Sequence, residues 1–77
     1  MMGLSTAEQY LIDLIKANDK GEGVSKQTLS DAALDADLSE NEFNYEEYDS
    51  TIKSLKEKEI IVENEAKYFL KSKIYSN

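Results

Sequence analysis

The stretch NYEEYDSTIKSLKEKEIIVENEAKYFL, residues 44–70, decides the predicted fold because its pattern changes from helix to strand at one point. In its first half the apolar residues recur every three or four positions, which is the spacing of one face of an α-helix. These residues are Tyr45, Tyr48, Ile52 and Leu55. From Ile60 onward the apolar residues are β-branched or aromatic and fall into two runs separated by polar residues. The stretch therefore predicts a helix over 44–59 that is followed directly by a β-hairpin over 60–70.

Two helix starts compete ahead of this helix. Asn44 is a favourable N-cap, and Glu47 lies three residues further on as its capping-box partner. Phe43 and Tyr48 have the spacing of a hydrophobic staple around the same start. A second capping box lies in the sequence SENE at 39–42. The start at Asn44 is preferred because it keeps the apolar face in phase, and the earlier box then begins a separate turn.

The first half of the chain predicts two further helices. Ser5 and Glu8 form a capping box ahead of apolar residues with helical spacing, which predicts a helix over 5–18. A polar segment with two Gly ends this helix, and Ser25 then caps a second helix over 25–36, whose buried edge is rich in Ala. The remaining residues form a lead-in at 1–4 and a tail at 71–77.

Composition limits the kinds of function that this chain can have. Its 77 residues suffice for one domain with one small core, and without Cys or His there is neither a disulfide nor a structural zinc site. The same absence excludes a Ser-His triad, a thiolate nucleophile and an imidazole metal ligand, and the sequence has no glycine-rich phosphate loop. We therefore predict a protein that is not an enzyme and uses no cofactor. No membrane span or signal peptide is indicated, so the expected compartment is the cytoplasm.

The net charge of −7 is concentrated in the middle of the chain. Residues 27–52 contain eight carboxylates and no Lys, whereas the remaining residues contain nine Lys and eight carboxylates. Arg is absent from the chain, and with it the planar guanidinium group that binds phosphates and guanine edges through two hydrogen bonds. The sequence therefore predicts one strongly negative region on an otherwise nearly neutral molecule.

The predicted order of elements resembles the winged helix-turn-helix superfamily across nearly the whole chain. The residues that carry the resemblance are Leu11, Leu14 and Ile15, then Val24, Ser25 and Leu29, and finally the string IKSLKEKEII at 52–61. The resemblance implies an α+β fold with three helices followed by a two-stranded β-hairpin wing. This sequence departs from the family at Glu59, where Gly is usual, and in the linker 35–43, which is longer than the usual tight turn.

The resemblance implies DNA binding, with the third helix in the major groove and the wing on the adjacent backbone. The charges oppose this reading, because the outward face of the third helix carries more carboxylates than lysines and carboxylates are repelled by phosphates. A DNA-binding regulator is therefore the alternative prediction. The residues that would contact DNA are Lys26, Gln27, Lys53, Lys67, Lys71 and Lys73.

The acidic middle of the chain has two simple interpretations. It is either a solvated face that maintains solubility or a contact for a basic protein partner, whose approach the opposite charge would accelerate. The second interpretation predicts a small regulatory or adaptor module. Its partner-binding residues would be Asp35, Asp37, Glu40, Glu42, Glu46, Glu47, Asp49 and Ser50. Homodimer formation through the hairpin or the tail stays open.

A calcium loop is a third interpretation of the same segment. Oxygen-bearing residues occupy positions 1, 3, 5, 7 and 12 of a loop that starts at Asp35, as they do in calcium-binding loops. The sixth position is Glu40, where the sharp turn of such a loop needs Gly, and the eighth is Glu42, where EF-hands have an aliphatic residue. We therefore predict no metal site.

Overall fold

The computed structural model describes residues 3–40 and 43–71, which form three α-helices and a three-stranded antiparallel sheet. The elements in chain order are α1 (Thr6–Asn18), β1 (Val24–Ser25), α2 (Lys26–Asp35), a π-helical segment (Ala36–Glu40), a 3-10 turn (Tyr45–Glu47), α3 (Tyr48–Glu57), β2 (Ile61–Asn64) and β3 (Lys67–Leu70). The predicted α+β fold class is confirmed, and the layout is compatible with a winged helix. In the described part of the chain, no helix has both the length and the apolar character needed to cross a membrane.

The first helix begins as its capping box predicts. Ser5 is the N-cap, its hydroxyl accepts a hydrogen bond from the Glu8 N–H, and the Glu8 carboxylate accepts one from the Ser5 N–H. After α1, the Asp19 carboxylate accepts hydrogen bonds from the N–H groups of Gly21 and Gly23. Gly23 has a φ of +84°, and a Cβ there would lie 2.6 Å from the Phe69 ring. Only glycine fits at this position, because both the backbone angle and the close ring exclude a side chain.

The second helix continues further than predicted, although not as an α-helix. Ser25 caps α2 by accepting a hydrogen bond from the Thr28 N–H, in agreement with the sequence pattern. The chain then passes into the π-helical segment at Ala36 instead of leaving the helix. The linker at 35–43 is therefore helical up to Glu40. A π-turn is wider than an α-turn and is seldom found outside single-turn insertions of this kind.

The predicted capping box between Asn44 and Glu47 is wrong. The Asn44 side chain accepts its hydrogen bond from the Glu46 N–H at 3.0 Å, two residues on, and this short link begins a 3-10 turn. Meanwhile the Asp37 carboxylate accepts a hydrogen bond from the Tyr45 N–H at 2.9 Å. The Glu47 N–H donates to the Asn44 carbonyl at 2.9 Å and the Tyr48 N–H donates to the Tyr45 carbonyl, so the chain makes a 3-10 turn first and the α-helix begins at Tyr48.

The end of α3 explains how the chain turns without glycine. Glu59 has a φ of +61°, in the left-handed region that favours glycine. Its N–H donates to the Lys56 carbonyl and the N–H of Ile60 donates to the Leu55 carbonyl, both at 3.0 Å. These two bonds form a Schellman motif, which satisfies the last carbonyls of the helix. The helix therefore ends where the sequence switches to β-branched residues.

The sheet has one more strand than the predicted hairpin. Its order is β1-β3-β2, so the two residues of β1 pair with β3, with Val24 opposite Tyr68. The hairpin between β2 and β3 turns at Glu65 and Ala66, whose φ values are +54° and +64°. Two positive φ values in a two-residue loop are the mark of a type I′ turn.

One core joins the helices to the sheet. The predicted apolar face of α3 points inward, since Tyr48, Ile52 and Leu55 are all buried. It packs within a cluster whose fully enclosed side chains come from α1, α2 and the sheet. These are Leu11, Ile12, Ile15, Val24, Leu29, Ile60 and Ile61. The core therefore fixes which face of α3 is left for contact with other molecules.

Candidate protein-docking surface

The predicted partner-binding residues fall on α2, the π-helical segment, the 3-10 turn and the start of α3. We call the described members of this set the acidic surface: Asp35, Asp37, Glu46, Glu47, Asp49 and Ser50. All of these residues are exposed except Asp37, which is half-buried because it accepts the hydrogen bond from the Tyr45 N–H. The side chain of Glu40 and the whole of Glu42 lie outside the described residues.

Tyr45 brings the two halves of the acidic surface together. Its hydroxyl shares a hydrogen bond with the Ser30 hydroxyl on α2, and its N–H donates to Asp37. Its ring stacks on Tyr48 with centroids 5.3 Å apart, which ties the same residue to α3. The 3-10 turn with Glu46 and Glu47 is therefore held against the C-terminal half of α2, and both sets of carboxylates belong to one continuous region.

Ion pairs are formed elsewhere on the molecule. Within residues 3–40 and 43–71 five ion pairs occur, and their carboxylates are Glu8, Glu22, Glu59 and Glu63. None of these carboxylates belongs to the acidic surface. The negative charge of the acidic surface is therefore left without a lysine counterion among the residues that the structure describes.

Several lysines of the predicted DNA contact are members of these ion pairs. Lys26 pairs with Glu63, which also accepts a hydrogen bond from Lys56 at 2.8 Å. These hydrogen bonds hold the pKa of the Glu63 carboxyl below its usual value and raise the pKa of Lys26. Lys71 lies 2.8 Å from a carboxylate oxygen of Glu59. Contact with phosphate would have to compete with these carboxylates.

The other residues of the predicted DNA contact differ from one another in the contacts that they make. Lys67 lies 3.9 Å from Glu22, at the limit of an ion pair, and the Gln27 side chain donates a hydrogen bond to Asp31. Lys53 is exposed on α3, and Lys73 lies outside the described residues. The hairpin turn is also held close to the body of the domain, because the Ala66 carbonyl accepts the Lys26 N–H at 2.9 Å. Among the described residues of this set, only Lys53 has neither an ion pair nor a hydrogen bond with a carboxylate.

The oxygen-bearing positions of the calcium-loop interpretation form hydrogen bonds within the chain. Asp35 accepts from the Ser39 hydroxyl at 3.2 Å, and Asp37 accepts from the Tyr45 N–H. Asn41, the seventh position of that loop, lies outside the described residues. Among the residues that the structure does describe, no group of three or more acidic, His or Cys side chains converges in a way that could hold a metal ion.

Two exposed leucines beside the acidic surface were missed by the sequence patterns. Leu34 on α2 is 40% exposed, and Leu38 in the π-helical segment is 77% exposed. The signal was present in their spacing, because Asp31, Leu34, Asp35 and Leu38 follow the i, i+3, i+4, i+7 pattern of a single helix face. The Ala residues of α2 predict its buried edge, and they do not indicate this second stripe, which faces outward.

A buried carboxylate also escaped sequence-based prediction. Glu8 on α1 is only 4% exposed, and it accepts hydrogen bonds from Ser54 at 2.7 Å and Lys58 at 2.8 Å, at the far end of α3. Burial alone would raise the pKa of Glu8, but the bonds from Lys58, the Ser5 N–H and Ser54 lower it to about 2. A carboxylate held ionised in this way is a poor proton donor or acceptor near neutral pH. Glu8 therefore joins α1 to α3 and is unsuited to acid-base chemistry.

Comparison of the chain with protein-family models, with curated proteins and with solved structures finds no match. The function must therefore be inferred from the geometry of the molecule itself. That geometry provides an exposed acidic region next to two exposed leucines, on a small α+β domain.

Proposed function

We propose that this chain is a small binding module, without enzymatic activity, that contacts a basic protein partner through its acidic surface. The observation that carries the proposal is the separation of charges. The described lysines pair largely with Glu8, Glu22, Glu59 and Glu63, while the five carboxylates of the acidic surface form no ion pair with any described residue. Unpaired exposed charge of one sign accelerates encounter with a partner of the opposite sign.

The rigidity of the region supports the same proposal. Tyr45 is fixed by Ser30, Asp37 and the Tyr48 ring, so the neighbouring carboxylates of Glu46 and Glu47 are presented from an ordered backbone. A partner that binds a preorganised surface does not have to order it first. The region thus combines charge with a defined shape.

DNA binding through α3 and the hairpin is the competing hypothesis, and the layout of the elements is what favours it. In that case affinity would fall steeply as salt rises, because binding would release counterions from the phosphates. Fluorescence anisotropy with a short random-sequence duplex, repeated at several salt concentrations, measures this directly. Replacement of Lys53, Lys67 and Lys71 with Gln would then weaken binding and reduce its salt dependence.

The proposal is tested by capture experiments with two matched variants. The first carries Glu46→Gln, Glu47→Gln and Asp49→Asn, which neutralise the acidic surface. The second carries Asp13→Asn, Glu57→Gln and Glu65→Gln, which make the same change in net charge at other exposed positions. Each protein is immobilised, incubated with extract of the source cell, and the captured proteins are quantified by mass spectrometry.

We expect basic proteins that bind the wild type and the second variant to be lost from the first. Equal capture by all three proteins would show that the acidic surface is only a solvated face. Loss with both variants would show that total charge matters and that its location does not.

A further inference from the structure

The exposed leucines specify the kind of partner more closely than the charges do. Leu34 and Leu38 lie one helical turn apart on the outward side of α2 and the π-helical segment that continues it. Val62, on the edge strand β2, is the other large apolar side chain that is exposed among the described residues. The two leucines are therefore the principal apolar feature of this side of the molecule.

Carboxylates flank the leucines on both sides. On a helical projection of α2 Leu34 lies next to Ser30, whose hydroxyl shares a hydrogen bond with the Tyr45 hydroxyl, and Asp37 in the π-helical segment accepts the Tyr45 N–H. Beyond the leucines, on the opposite side from Tyr45, lie Asp31 and Asp35. The result is an apolar stripe with an acidic border formed by the 3-10 turn on one side and by α2 itself on the other.

We propose that this stripe binds an amphipathic helix whose apolar residues contact Leu34 and Leu38 and whose Lys or Arg residues face the acidic border. This inference rests on the proposed function and names the chemistry of its partner. Helices bind to surfaces of this kind through apolar anchors at i, i+3, i+4 and i+7, while the flanking charges fix partner choice and orientation. The charge of the border selects a basic helix over an acidic one, because like charges would face one another across the contact.

The test uses two synthetic peptides with the same composition. The first, about 14 residues long, places Leu on one helical face and Lys on the other, and the second is a scrambled sequence without an apolar face. Binding of each peptide is measured by isothermal titration calorimetry against the wild type and three variants. These are the double variant Leu34→Gln/Leu38→Gln, the double variant Asp31→Asn/Asp35→Asn, and the control Val62→Gln, which changes an exposed apolar residue elsewhere.

We expect the amphipathic peptide to bind the wild type and Val62→Gln equally, and to bind each double variant about tenfold more weakly. The scrambled peptide should bind more weakly than the amphipathic one and should not respond to the leucine substitutions. Circular dichroism of every variant confirms that the helical content is retained, so that a loss of binding reports on the surface.

The outcomes separate this inference from the proposed function. If the aspartate substitutions weaken binding and the leucine substitutions do not, the amphipathic-helix proposal is wrong and a purely electrostatic contact remains. If neither double variant matters, the amphipathic-helix proposal fails, and the proposed function is decided separately by the capture experiment with Glu46→Gln, Glu47→Gln and Asp49→Asn. If sedimentation shows that the wild type dimerises and that Leu34→Gln/Leu38→Gln makes it monomeric, a second copy of the chain covers the stripe and the inference is also overturned.

Discussion

Replacement of Glu8 with Gln tests the link between α1 and α3 most directly. The carboxylate accepts hydrogen bonds from the Ser5 N–H, the Ser54 hydroxyl and the Lys58 ammonium group at 2.7 to 2.9 Å. Its pKa falls from an ordinary value of 4.5 to about 2 in the folded protein. Each unit of this difference corresponds to about 1.4 kcal/mol, so ionised Glu8 contributes about 3 kcal/mol to the free energy of unfolding at neutral pH.

The sign of this effect determines its pH dependence. Because folding lowers the pKa of Glu8, the contribution is complete above the unfolded value of 4.5 and disappears as the pH falls through about 2. We expect Glu8→Gln to lower the free energy of unfolding by about 3 kcal/mol at pH 7 and by only about 1 kcal/mol at pH 3. This is a large fraction of the total for a domain of this size, which is on the order of 4 to 12 kcal/mol.

Urea denaturation followed by circular dichroism at a series of pH values measures this difference. The control is Glu57→Gln, which removes an exposed carboxylate from α3 and should change stability by less than about 0.5 kcal/mol. A loss below about 1 kcal/mol for Glu8→Gln at pH 7, or a loss of the same size at pH 7 and pH 3, would refute the reasoning. Either result would mean that the bonds from Lys58 and Ser54 do not outweigh the burial of the charge.

Three further pairs of substitutions test single features of the fold, each by thermal or urea unfolding. Tyr48 has a buried hydroxyl with no hydrogen-bond partner among the described residues, so Tyr48→Phe should leave stability unchanged or raise it by about 1 kcal/mol. Tyr45→Phe, which loses the bond to Ser30, should lower stability by about 1 kcal/mol. Equal losses for the two variants would contradict this difference in hydrogen bonding. Ala66→Gly removes a left-handed alanine from the hairpin turn and should stabilise by up to about 1 kcal/mol, whereas Ala32→Gly in the middle of α2 should destabilise by about the same amount. Gly23→Ala should destabilise the protein by about 2 kcal/mol, because its φ is positive and the new Cβ would lie too close to the Phe69 ring. Gly21→Ala has a positive φ but no close neighbour, so it should show the backbone effect alone. Identical losses for the two variants would show that the ring moves aside freely.

The helices and their buried faces were readable from the sequence because they depend on local spacing. The period of Tyr48, Ile52 and Leu55 and the capping box at Ser5 involve residues within one or two turns of one another, and the structure has both. The switch to β-branched residues at Ile60 likewise located the end of α3. Signals of this kind act before the chain has any tertiary contacts.

The features that the sequence did not reveal all depend on contacts between distant residues or on unusual backbone angles. Asp37 accepts a hydrogen bond from the Tyr45 N–H, and Asn44 caps a 3-10 turn through the Glu46 N–H in place of the predicted capping box with Glu47. Glu8 meets Ser54 and Lys58 across most of the chain, and no local pattern indicates such a pairing. Glu59 adopts a conformation that propensity assigns to glycine.

The candidate surface was predictable in its charge and not in its shape. The run of carboxylates without Lys is visible in the sequence, and it correctly indicated a region of one sign. Whether those charges would be neutralised by lysines from elsewhere in the chain depends on the fold. The exposure of Leu34 and Leu38 also depends on the fold, because a leucine in a helix is equally consistent with a buried face.

The central position of β3 has a consequence for how the protein folds during its synthesis on the ribosome. Strand β3 lies between β1 and β2, so it pairs on one side with the strand before α2 and on the other with the strand after α3. A nascent chain that has emerged only as far as α3 lacks Ile60, Ile61 and Tyr68, which belong to the hydrophobic core, so its core is incomplete. The sheet can form only after residues 67–70 have left the exit tunnel, because β1 and β2 pair with β3 and not with each other.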